Sequence, residues 1–401
     1  MKVIYISGGA PDEIISYFAE KYAKSKSNYV QQRWDYLFLS SLGRLLNENF
    51  FAISYAPVST FPASKCVISP TKIHKNEKGT KIVFPRAWNI PVIKQISQVH
   101  SVKKELAKLC KAFKGERIII LTHCVYLQSA KAAFWAREKF GVEVYTMVPD
   151  LPKHAMPLAF NHNPILRKMF SSYIKRTTKM SPCFDGYVCF SEPQMEHLNK
   201  EKPHIVMEGF FDFSIFDEVE CKENNPNRVV YAGSLMYRYG IRELVDGFIK
   251  AEIPGTELFV YGSGEAEEYA KNKEHLGVKY GGSLSRLEMI AIEKSSFLLV
   301  NPRPTDDEYS RCSFPSKLME YMASGTPTLT TRLGCIRAEY EDKMAYIETV
   351  SSDGIAAAIK RCFGEREAMI KMGKRAEKYI REEKNVDIQA KRVIDFLLEN
   401  K

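Results

Sequence analysis

The feature that most constrains this chain is a repeated alternation of short apolar runs with longer helix-like stretches. Helical patterns over 101–114, 127–140 and 192–200 follow apolar runs in the first half of the sequence. Strands that alternate with helices predict βαβ units around a parallel sheet. The strands expected in this half are KVIYIS (2–7), FFAISYA (50–56), RIIILTHC (117–124), VEVYTMV (142–148) and DGYVCFS (185–191).

A second alternation begins after 203–216, a stretch that reads as a connection between domains. Its expected strands are 225–234, 257–264, 278–282, 297–303, 326–331 and 344–350, and its expected helices are 240–251, 265–274, 285–294, 316–323, 353–363 and 366–399. The pattern predicts two doubly wound α/β domains with a cleft between them, where ligands bind beyond the carboxyl ends of the strands. We expect domains at 1–210 and 211–380, and a C-terminal helix, 381–401, that packs back on the first domain.

Composition excludes several classes of protein. Hydrophobic residues make up 45% of the chain and charged residues 26%, which is typical of a folded protein and not of a disordered one. No apolar stretch approaches the ~18 residues of a membrane-spanning helix, and the N-terminus lacks the pattern of a secretory signal. Nine cysteines form no CxxC pair, so a zinc site or disulfide framework is not expected. The sequence therefore predicts a reduced, cytoplasmic protein.

The charge is uneven along the chain. Residues 1–210 hold 30 Lys and Arg against 16 Asp and Glu, a net charge of +14, whereas the rest of the chain carries −4. Such asymmetry favours an anionic partner for the first half, although a solvated lysine-rich surface gives the same count. Because the basic half has no recognisable nucleic-acid motif, we expect no nucleic-acid partner and favour an anionic membrane surface or a phosphate-bearing substrate.

One basic segment, 165–180, sharpens that expectation. Its apolar residues recur at helical spacing, and its basic residues lie on the other faces. The pattern predicts either an amphipathic helix on an anionic bilayer or a surface helix that packs its apolar stripe on its own domain. The apolar set is Ile165, Met169, Phe170, Tyr173 and Ile174, and the basic set is Arg167, Lys168, Lys175, Arg176 and Lys179.

The segment SFPSKLMEYMASGTP (313–327) carries the clearest chemistry. Ser313 or Phe314 can cap a helix that Pro315 helps to start, and Lys317 adds a positive charge to free N–H groups there. Ser316 and Glu320 share one helical face, so a phosphate at the helix start and a ribose one turn later would both find partners. Gly325 and Pro327 end the helix. The alternative is a capped core helix with incidental Lys and Glu.

The stretch 301–327, with NPR, SFPSK and EYMASGTP in succession, resembles the donor-site signature of retaining glycosyltransferases with the GT-B fold. The version found here is similar to that of family 4-like enzymes from bacterial capsule, exopolysaccharide and O-antigen assembly. Three further segments resemble the family's donor domain, in family order: 229–248, 257–269 and 278–289. The resemblance implies two Rossmann-like domains that face each other across a cleft, with the donor bound by the second.

The resemblance also implies roles for particular residues. Glu320 occupies the second position of the family's pair of glutamates and would contact the ribose. The first position falls on Cys312, so the donor sugar stays undetermined. Backbone groups of Ser313, Phe314, Pro315 and Ser316 would hold the pyrophosphate and sugar.

The family's cations are partly replaced in this chain. The first strand turn reads Gly233-Ser234 and lacks a cation, so Arg238 is the expected cation, assisted by Lys317 and by Arg303. Arg303 could instead pair with a carboxylate at 306–308.

Three glycines and two polar residues complete the expected site. Gly262 and Gly264 would let the backbone approach the nucleotide, or simply form a tight turn, and Gly9 follows the first strand. Asp150 stands where the family's acceptor side carries a His-Asp pair, with Pro149 in place of the histidine. It could orient or deprotonate the acceptor, or be a turn residue. His123, at the end of a strand, is a second candidate, although such a histidine is more often structural.

Together these observations predict a retaining, metal-independent hexosyltransferase, with UDP as first choice of nucleotide and GDP as second. No cofactor is expected. The acceptor would be a glycan or a polyprenyl-diphosphate-linked sugar at the inner face of the membrane. Two alternatives remain open: a degenerate, non-catalytic partner subunit, motivated by Cys312 and the missing cation, and a GT-B-type nucleotide-sugar epimerase.

Overall fold

A computed structural model describes residues 1–25, 28–75, 80–154, 164–220, 224–306 and 308–400, apart from the side chains of 164–166. The chain divides into two compact units. Unit 1 comprises Met1–Glu208 together with Val386–Lys401, and unit 2 comprises Gly209–Asn385.

Unit 1 is built on a mostly parallel sheet with strand order β10-β9-β8-β7-β1-β2-β5-β4. Its central strands are apolar on both faces, and Val3–Ile6 are fully buried, as a parallel sheet covered on both sides requires. Only β4 runs antiparallel to its neighbour, and a small second sheet pairs β3 with β6. The strands are β1 Lys2–Ser7, β2 Phe50–Ser54, β3 Ile68–Ser69, β4 Lys72–Lys75, β5 Lys81–Phe84, β6 Ala87–Trp88, β7 Ile118–His123, β8 Glu143–Val148, β9 Gly186–Cys189 and β10 His204–Val206.

The α-helices of unit 1 follow the predicted alternation from α3 onward, whereas α1 and α2 come in succession after β1 and were not predicted. They are α1 Asp12–Tyr22, α2 Val30–Leu46, α3 Ile93–Ala112, α4 Leu127–Phe140, α5 Pro164–Met180 and, from the end of the chain, α14 Val386–Glu399.

Unit 2 contains an entirely parallel sheet of order β13-β12-β11-β14-β15-β16. Taken in chain order within the unit, this is 3-2-1-4-5-6, the doubly wound arrangement whose ligand side is the carboxyl edge of the strands. The strands are β11 Arg228–Ala232, β12 Glu257–Tyr261, β13 Val278–Gly282, β14 Leu298–Asn301, β15 Thr328–Thr331 and β16 Ala345–Ile347. The helices are α6 Ser214–Glu218, α7 Ile241–Ala251, α8 Glu267–Lys271, α9 Arg286–Lys294, α10 Glu308–Cys312, α11 Ser316–Ala323, α12 Ser352–Gly364 and α13 Arg366–Glu383.

The stretch 366–399 is helical as predicted, but it is divided into α13 and α14 by a break at 384–385. The carbonyl of Lys384 accepts a hydrogen bond from the amide of Phe211 (2.8 Å), and its ammonium bonds the carboxylate of Glu339 (2.8 Å). These bonds hold the backbone out of the helix. The helix expected over 192–200 is instead a short 3₁₀ segment, Glu192–His197.

Helix α5 contacts its own unit along part of its apolar side. The Tyr173 hydroxyl accepts a hydrogen bond from the amide of Leu127 at the start of α4 (3.3 Å), and Thr177 is fully buried. Met169 and the five basic residues of the helix are exposed. Binding of this helix to a membrane stays a prediction. In the part of the chain that the structure describes, no helix combines the length and apolar character needed to cross a bilayer.

Candidate functional site

The carboxyl ends of three neighbouring strands of unit 2 bring three turns together. Gly233 follows β11, and its amide bonds the carbonyl of Tyr261 at the end of β12 (2.8 Å). The turn after β14 packs beside them, because a Cβ on Gly240 would lie 2.3 Å from the carbonyl oxygen of Pro302. This edge is where an open α/β sheet binds its ligand.

Gly233 leaves room for a lysine ammonium. A Cβ added to Gly233, whose φ is +150°, would lie only 1.1 Å from Nζ of Lys317. The ammonium also sits 4.6 Å above the centre of the Tyr231 ring, a cation–π contact that the sequence did not reveal. Glycine at 233 is therefore required for the lysine to reach this edge.

Lys317 is a cation without a hydrogen-bonding partner. Among the described residues, no acceptor lies within hydrogen-bond distance of its Nζ. Burial lowers the pKa of Lys317 to about 8, against the attraction of Glu293 and Glu320. Because Lys317 is only half-buried, an anion from outside the chain can reach this ammonium and form a charge-assisted contact with it.

Two carboxyl groups accompany the lysine. Burial raises the pKa of Glu320, against the opposing effect of Arg286 and Lys317. Glu293, on α9, is only 1% exposed, and burial together with the neighbouring Glu320 raises the pKa of its carboxyl well above the ordinary value. Among the described residues, its Oε2 has no hydrogen-bond partner. The prediction missed Glu293, although its place three residues after the buried Ile290 marks it as core-facing.

Arg303 is a second cation at this edge. Its side chain is buried, and its Nε donates to the Ser310 hydroxyl (3.0 Å) while one terminal nitrogen donates to the Ser313 carbonyl (3.4 Å). The other terminal nitrogen, Nη2, has no acceptor in the part of the chain that the structure describes. The sequence also allowed an ion pair between Arg303 and a carboxylate at 306–308. Asp307 lies outside the described residues, and no described carboxylate forms an ion pair with Arg303.

The start of α11 differs in detail from the expectation. The N-cap is Pro315, with no side-chain cap, so neither Ser313 nor Phe314 caps the helix. The amide of Ser313 donates to the carbonyl of Tyr309 (2.9 Å), and Pro315 has no N–H to offer. Within the described residues, the amides of Phe314, Ser316 and Lys317 have no acceptor. At the other end Gly325 adopts φ +72°, the helix-ending conformation that was predicted.

Arg238 lies further out than Lys317. It is exposed, and its guanidinium stacks on the ring of Tyr239 (4.9 Å) and donates to that residue's hydroxyl (3.0 Å). Arg303 flanks the same ring at 5.8 Å, so Tyr239 links the two arginines. Ser234 is exposed, and its carbonyl accepts the Tyr231 hydroxyl (2.9 Å).

The two glycines of the turn after β12 meet backbone. A Cβ on Gly262 would lie 1.7 Å from the carbonyl oxygen of Gly233, and one on Gly264 would lie 2.6 Å from that of Leu235. Close packing of the turns therefore explains both glycines without a ligand. A contact with the nucleotide stays a prediction.

In unit 1 the predicted residues lie at the carboxyl edge of the sheet. Gly9 is buried against α2, where a Cβ would lie 2.8 Å from the Tyr36 amide nitrogen, so its glycine is needed for packing. Asp150 is exposed in the turn after β8. Neither observation tests the roles expected of them.

His123 belongs to a buried polar cluster. Its Nδ1 lies 2.9 Å from the Tyr5 hydroxyl and 3.2 Å from Oδ1 of Asp35. Burial opposes the charged imidazole, but the Asp35 carboxylate and Cys124 outweigh it and raise the pKa of His123 to about 9. Asp35 also accepts hydrogen bonds from the Tyr5 hydroxyl (2.8 Å) and the Gly8 amide (2.9 Å). Sequence reasoning found the histidine but not its two partners.

Metal ligands are not grouped in the described parts of either unit. No set of three or more His, Cys, Asp or Glu side chains there is arranged to hold an ion. Metal independence of the activity stays a prediction.

Residues 226–365, which lie wholly in unit 2, match the family model for glycosyl transferases group 1. The match includes the Gly233 turn, Arg303, Lys317 and both glutamates. No curated protein sequence matches the chain.

Solved structures resemble the whole chain at low sequence identity. Sucrose-phosphate synthase from Thermosynechococcus elongatus has a TM-score of 0.63 at 15% identity, over 100% of this chain and 99% of that one. HepE from Anabaena, in complex with UDP, has a TM-score of 0.60 at 12% identity, over 100% of both chains. The α,α-trehalose 6-phosphate synthase from Burkholderia multivorans has a TM-score of 0.63 at 9% identity, over 99% and 96%. The chain has the GT-B fold, and the family match with these neighbours supports a glycosyltransferase.

Proposed function

We propose that this protein is a retaining glycosyltransferase that moves a sugar from a nucleotide sugar to an acceptor hydroxyl. The observation that carries the proposal is the pair of unsatisfied cationic groups at one edge of unit 2. Lys317 Nζ and Arg303 Nη2 both lack acceptors among the described residues, and Glu320 lies one helical turn after the start of α11.

The site suits a nucleoside diphosphate. A diphosphate would meet the Lys317 ammonium, the Arg303 guanidinium and the free amides at the start of α11, where the helix dipole favours negative charge. Glu320 would accept hydrogen bonds from the ribose. The Anabaena neighbour is bound to UDP, which supports UDP as first choice, with GDP second.

The same groups would drive the chemistry. Charge builds up on the departing diphosphate as the sugar is transferred, and fixed cations stabilise that charge without reorganising. The positioning of donor and acceptor supplies the rest of the rate enhancement. We propose that the leaving diphosphate or Asp150 receives the acceptor proton, that the anomeric configuration is retained, and that no dissociable metal takes part.

For the acceptor we propose a glycan or a polyprenyl-diphosphate-linked sugar of bacterial surface polysaccharide assembly, with the protein at the inner membrane face. The support is the +14 charge of residues 1–210 and the exposed basic face of α5. Anionic lipids attract such surfaces.

Donor binding is tested first by thermal shift and calorimetry with UDP, GDP, dTDP and their sugars. We expect one nucleotide class to stabilise the protein, since a ligand that binds only the native state raises the melting temperature. Glu320→Ala should lose the preference for ribonucleotides. The matched control is Glu288→Ala, an exposed glutamate that caps α9. Absence of stabilisation by every nucleotide would overturn the donor-site assignment.

Turnover separates the proposal from its rivals. Incubation with the stabilising nucleotide sugar and a lipid-linked acceptor should give a product whose anomeric coupling, measured by NMR, matches that of the donor. Binding without transfer to any acceptor would favour a non-catalytic subunit, the reading that Cys312 motivates. Conversion of the nucleotide sugar without acceptor would indicate an epimerase.

A further inference from the structure

A polar groove on the surface of unit 1 contains an exposed tryptophan. The groove has a volume of about 260 Å³, and its walls come from helix α3 and from residues 85–88. Trp88 is 47% exposed there. We call this feature the Trp88 groove, and the residues on which the argument depends are Thr71, Arg86, Trp88, Ser97, Ser101 and Lys104.

Hydrogen bonds join the two walls of the Trp88 groove. The amide of Trp88 donates to the Ser97 hydroxyl (2.9 Å), and the Ser101 hydroxyl donates to the Arg86 carbonyl (2.5 Å). Trp88 also pairs with Ile68 in the small sheet of β3 and β6. These bonds involve the backbone of Trp88 and Arg86, so the side chains of both residues remain available to a ligand.

The Trp88 ring has no partner within the described residues. It stacks on no other ring or cation there, and its Nε1–H has no acceptor. Trp135, by contrast, lies beneath the ammonium of Lys103 (5.2 Å). Trp34 packs against the ring of His123 (5.9 Å). The exposed indole therefore offers a flat apolar face with a hydrogen-bond donor at its edge.

Two cations border the same groove. Arg86 and Lys104 are exposed, and neither forms an ion pair with a described carboxylate. Lys104 lies three residues after Ser101 and so shares its face of α3. Glu105 also lines the groove, but its carboxylate pairs with Lys108 (2.7 Å). A guanidinium and an ammonium at this distance from other anions can both form charge-assisted bonds with a carboxylate.

Hydroxyl groups line the groove between these cations and the indole. The Thr71 hydroxyl accepts the amide of Arg86 (3.3 Å), and the Ser97 hydroxyl accepts the amide of Trp88. Each has no acceptor for its own proton among the described residues, and the Ser101 oxygen can still accept. Groups that donate and accept side by side complement the hydroxyls of a sugar, which do the same.

The Trp88 groove lies away from the edge at which transfer is proposed. Strand β5 runs parallel to β2, and β2 to β1, so all three end at the carboxyl edge, where Gly9 is placed. Helix α3 begins after that edge and returns toward the start of β7. From Ser97 to Glu105 the groove follows the helix for about 12 Å, so it leads away from the reacting groups.

We propose that the Trp88 groove is a second carbohydrate site, which binds a sugar residue that carries a carboxylate. The C–H face of the sugar would pack on the indole, its hydroxyls would meet Thr71 and Ser97, and its carboxylate would meet Arg86 and Lys104. Small-ligand pockets have about 300–1,000 Å³, so a groove just below that range fits a short oligosaccharide better than a folded partner. The inference goes beyond the proposed function, since this site would hold a glycan without taking part in transfer.

Calorimetric titration of the full chain tests the proposal without any nucleotide. The probes are tetragalacturonate, neutral maltotetraose and inorganic phosphate, all at one ionic strength. We expect only tetragalacturonate to bind. Trp88→Ala and Arg86→Gln/Lys104→Gln should each raise its Kd about tenfold, because a stacking contact or charge-assisted bonds are lost. Trp88→Phe should keep most of the affinity but lose the change in tryptophan emission, since Trp34 and Trp135 do not line the groove.

The matched control is Lys111→Gln/Lys114→Gln, which removes two exposed charges at the far end of α3, outside the groove. It should bind tetragalacturonate like the wild type. The proposal would be overturned by a wild type that binds no tetragalacturonate, by equal binding of maltotetraose or phosphate, or by equal affinities in the groove and control variants. UDP affinity and melting temperature, measured on the same variants, should not change. A failed donor site and a failed Trp88 groove therefore give separate results.

Discussion

Each unit of this protein buries a polar cluster at the carboxyl edge of its sheet, but the two clusters differ in how far their atoms are satisfied. In unit 1, Asp35 accepts hydrogen bonds from Tyr5 and Gly8 and pairs with His123. In unit 2, Lys317 Nζ has no acceptor among the described residues, and both Arg303 Nη2 and Glu293 Oε2 are unpaired.

We take this difference to separate a cluster that serves the fold from one that we propose binds a ligand. Arg303 Nη2 and Glu293 Oε2 are buried without a partner among the described residues, which costs stability unless a group from outside the chain completes them. The Asp35 cluster is complete and ties three elements together: β1, α2 and β7. In the Lys317 cluster, Lys317 Nζ and Arg303 Nη2 have no acceptor among the described residues, so an anion could bind them.

The largest effect on stability is expected from substitution of Asp35 in the unit 1 cluster. Asp35→Ala leaves His123 buried and charged without its counterion, and the Tyr5 hydroxyl and Gly8 amide without an acceptor. We expect the free energy of unfolding to fall by about 3–5 kcal/mol, the usual cost of removing one partner of a buried ion pair. Urea denaturation followed by circular dichroism measures the change.

Asp12→Ala is the control for this change. Asp12 forms an exposed pair with Arg33 in the same unit, and its loss should cost about 1 kcal/mol or less. UDP binding by the folded Asp35→Ala protein should be unchanged. If the variant kept its stability but lost transfer, the cluster would be a site and the distinction between the units would fail.

The second prediction concerns pH. The pKa of His123 is raised in the folded protein to about 9, from an ordinary value of 6.5. A raised pKa stabilises the fold fully below pH 6.5, and that stabilisation is lost as pH rises through 9. The wild type should therefore exceed His123→Gln by roughly 3 kcal/mol more at pH 6 than at pH 10, measured by urea denaturation.

His204→Gln supplies the baseline, because His204 pairs with the exposed Glu192 in the same unit. A gap between wild type and His123→Gln that stays constant from pH 6 to pH 10 would show that the imidazole is neutral in the fold. The cluster would then hold Asp35 by hydrogen bonds alone.

Periodicity predicted the sheet of unit 2 and five strands of unit 1, but not β3, β4, β5, β6 or β10. The runs 2–7 and 278–282 became β1 and β13 at those bounds, and 127–140 and 316–323 became α4 and α11. Each is a local pattern, and the parallel order follows from alternation. Helices α1 and α2 were not predicted, and Gly43 within α2 disfavours a helix locally. Its reason is tertiary: a Cβ there would lie 2.4 Å from the Thr80 hydroxyl oxygen.

The site residues that lie close together in the sequence were predicted. Those that only the fold brings to the site were missed. Lys317 and Glu320 stand together in the sequence, so spacing found them. Glu293 and Tyr231 reach the lysine from other elements, and nothing local distinguishes them from core residues. Burial likewise decides the pKa of Lys317, and burial is a property of the assembled unit.

The last prediction compares two lysines of unit 2 with opposite surroundings. Lys317 Nζ faces no acceptor, whereas Lys294 Nζ donates to the carbonyls of Phe216 (2.5 Å) and Val219 (3.0 Å). Lys317→Met should weaken UDP binding about thirtyfold, or ~2 kcal/mol, the value of a charge-assisted contact to phosphate, and leave the unfolding free energy unchanged or higher. Lys294→Met should do the reverse, because the carbonyls of Phe216 and Val219 lose the ammonium as a donor while the diphosphate loses nothing. Calorimetric titration with UDP and urea denaturation, run on both variants, measure the two effects. If both variants lowered stability and neither changed UDP affinity, Lys317 would be a packing residue and the assignment of the diphosphate site to it would fail.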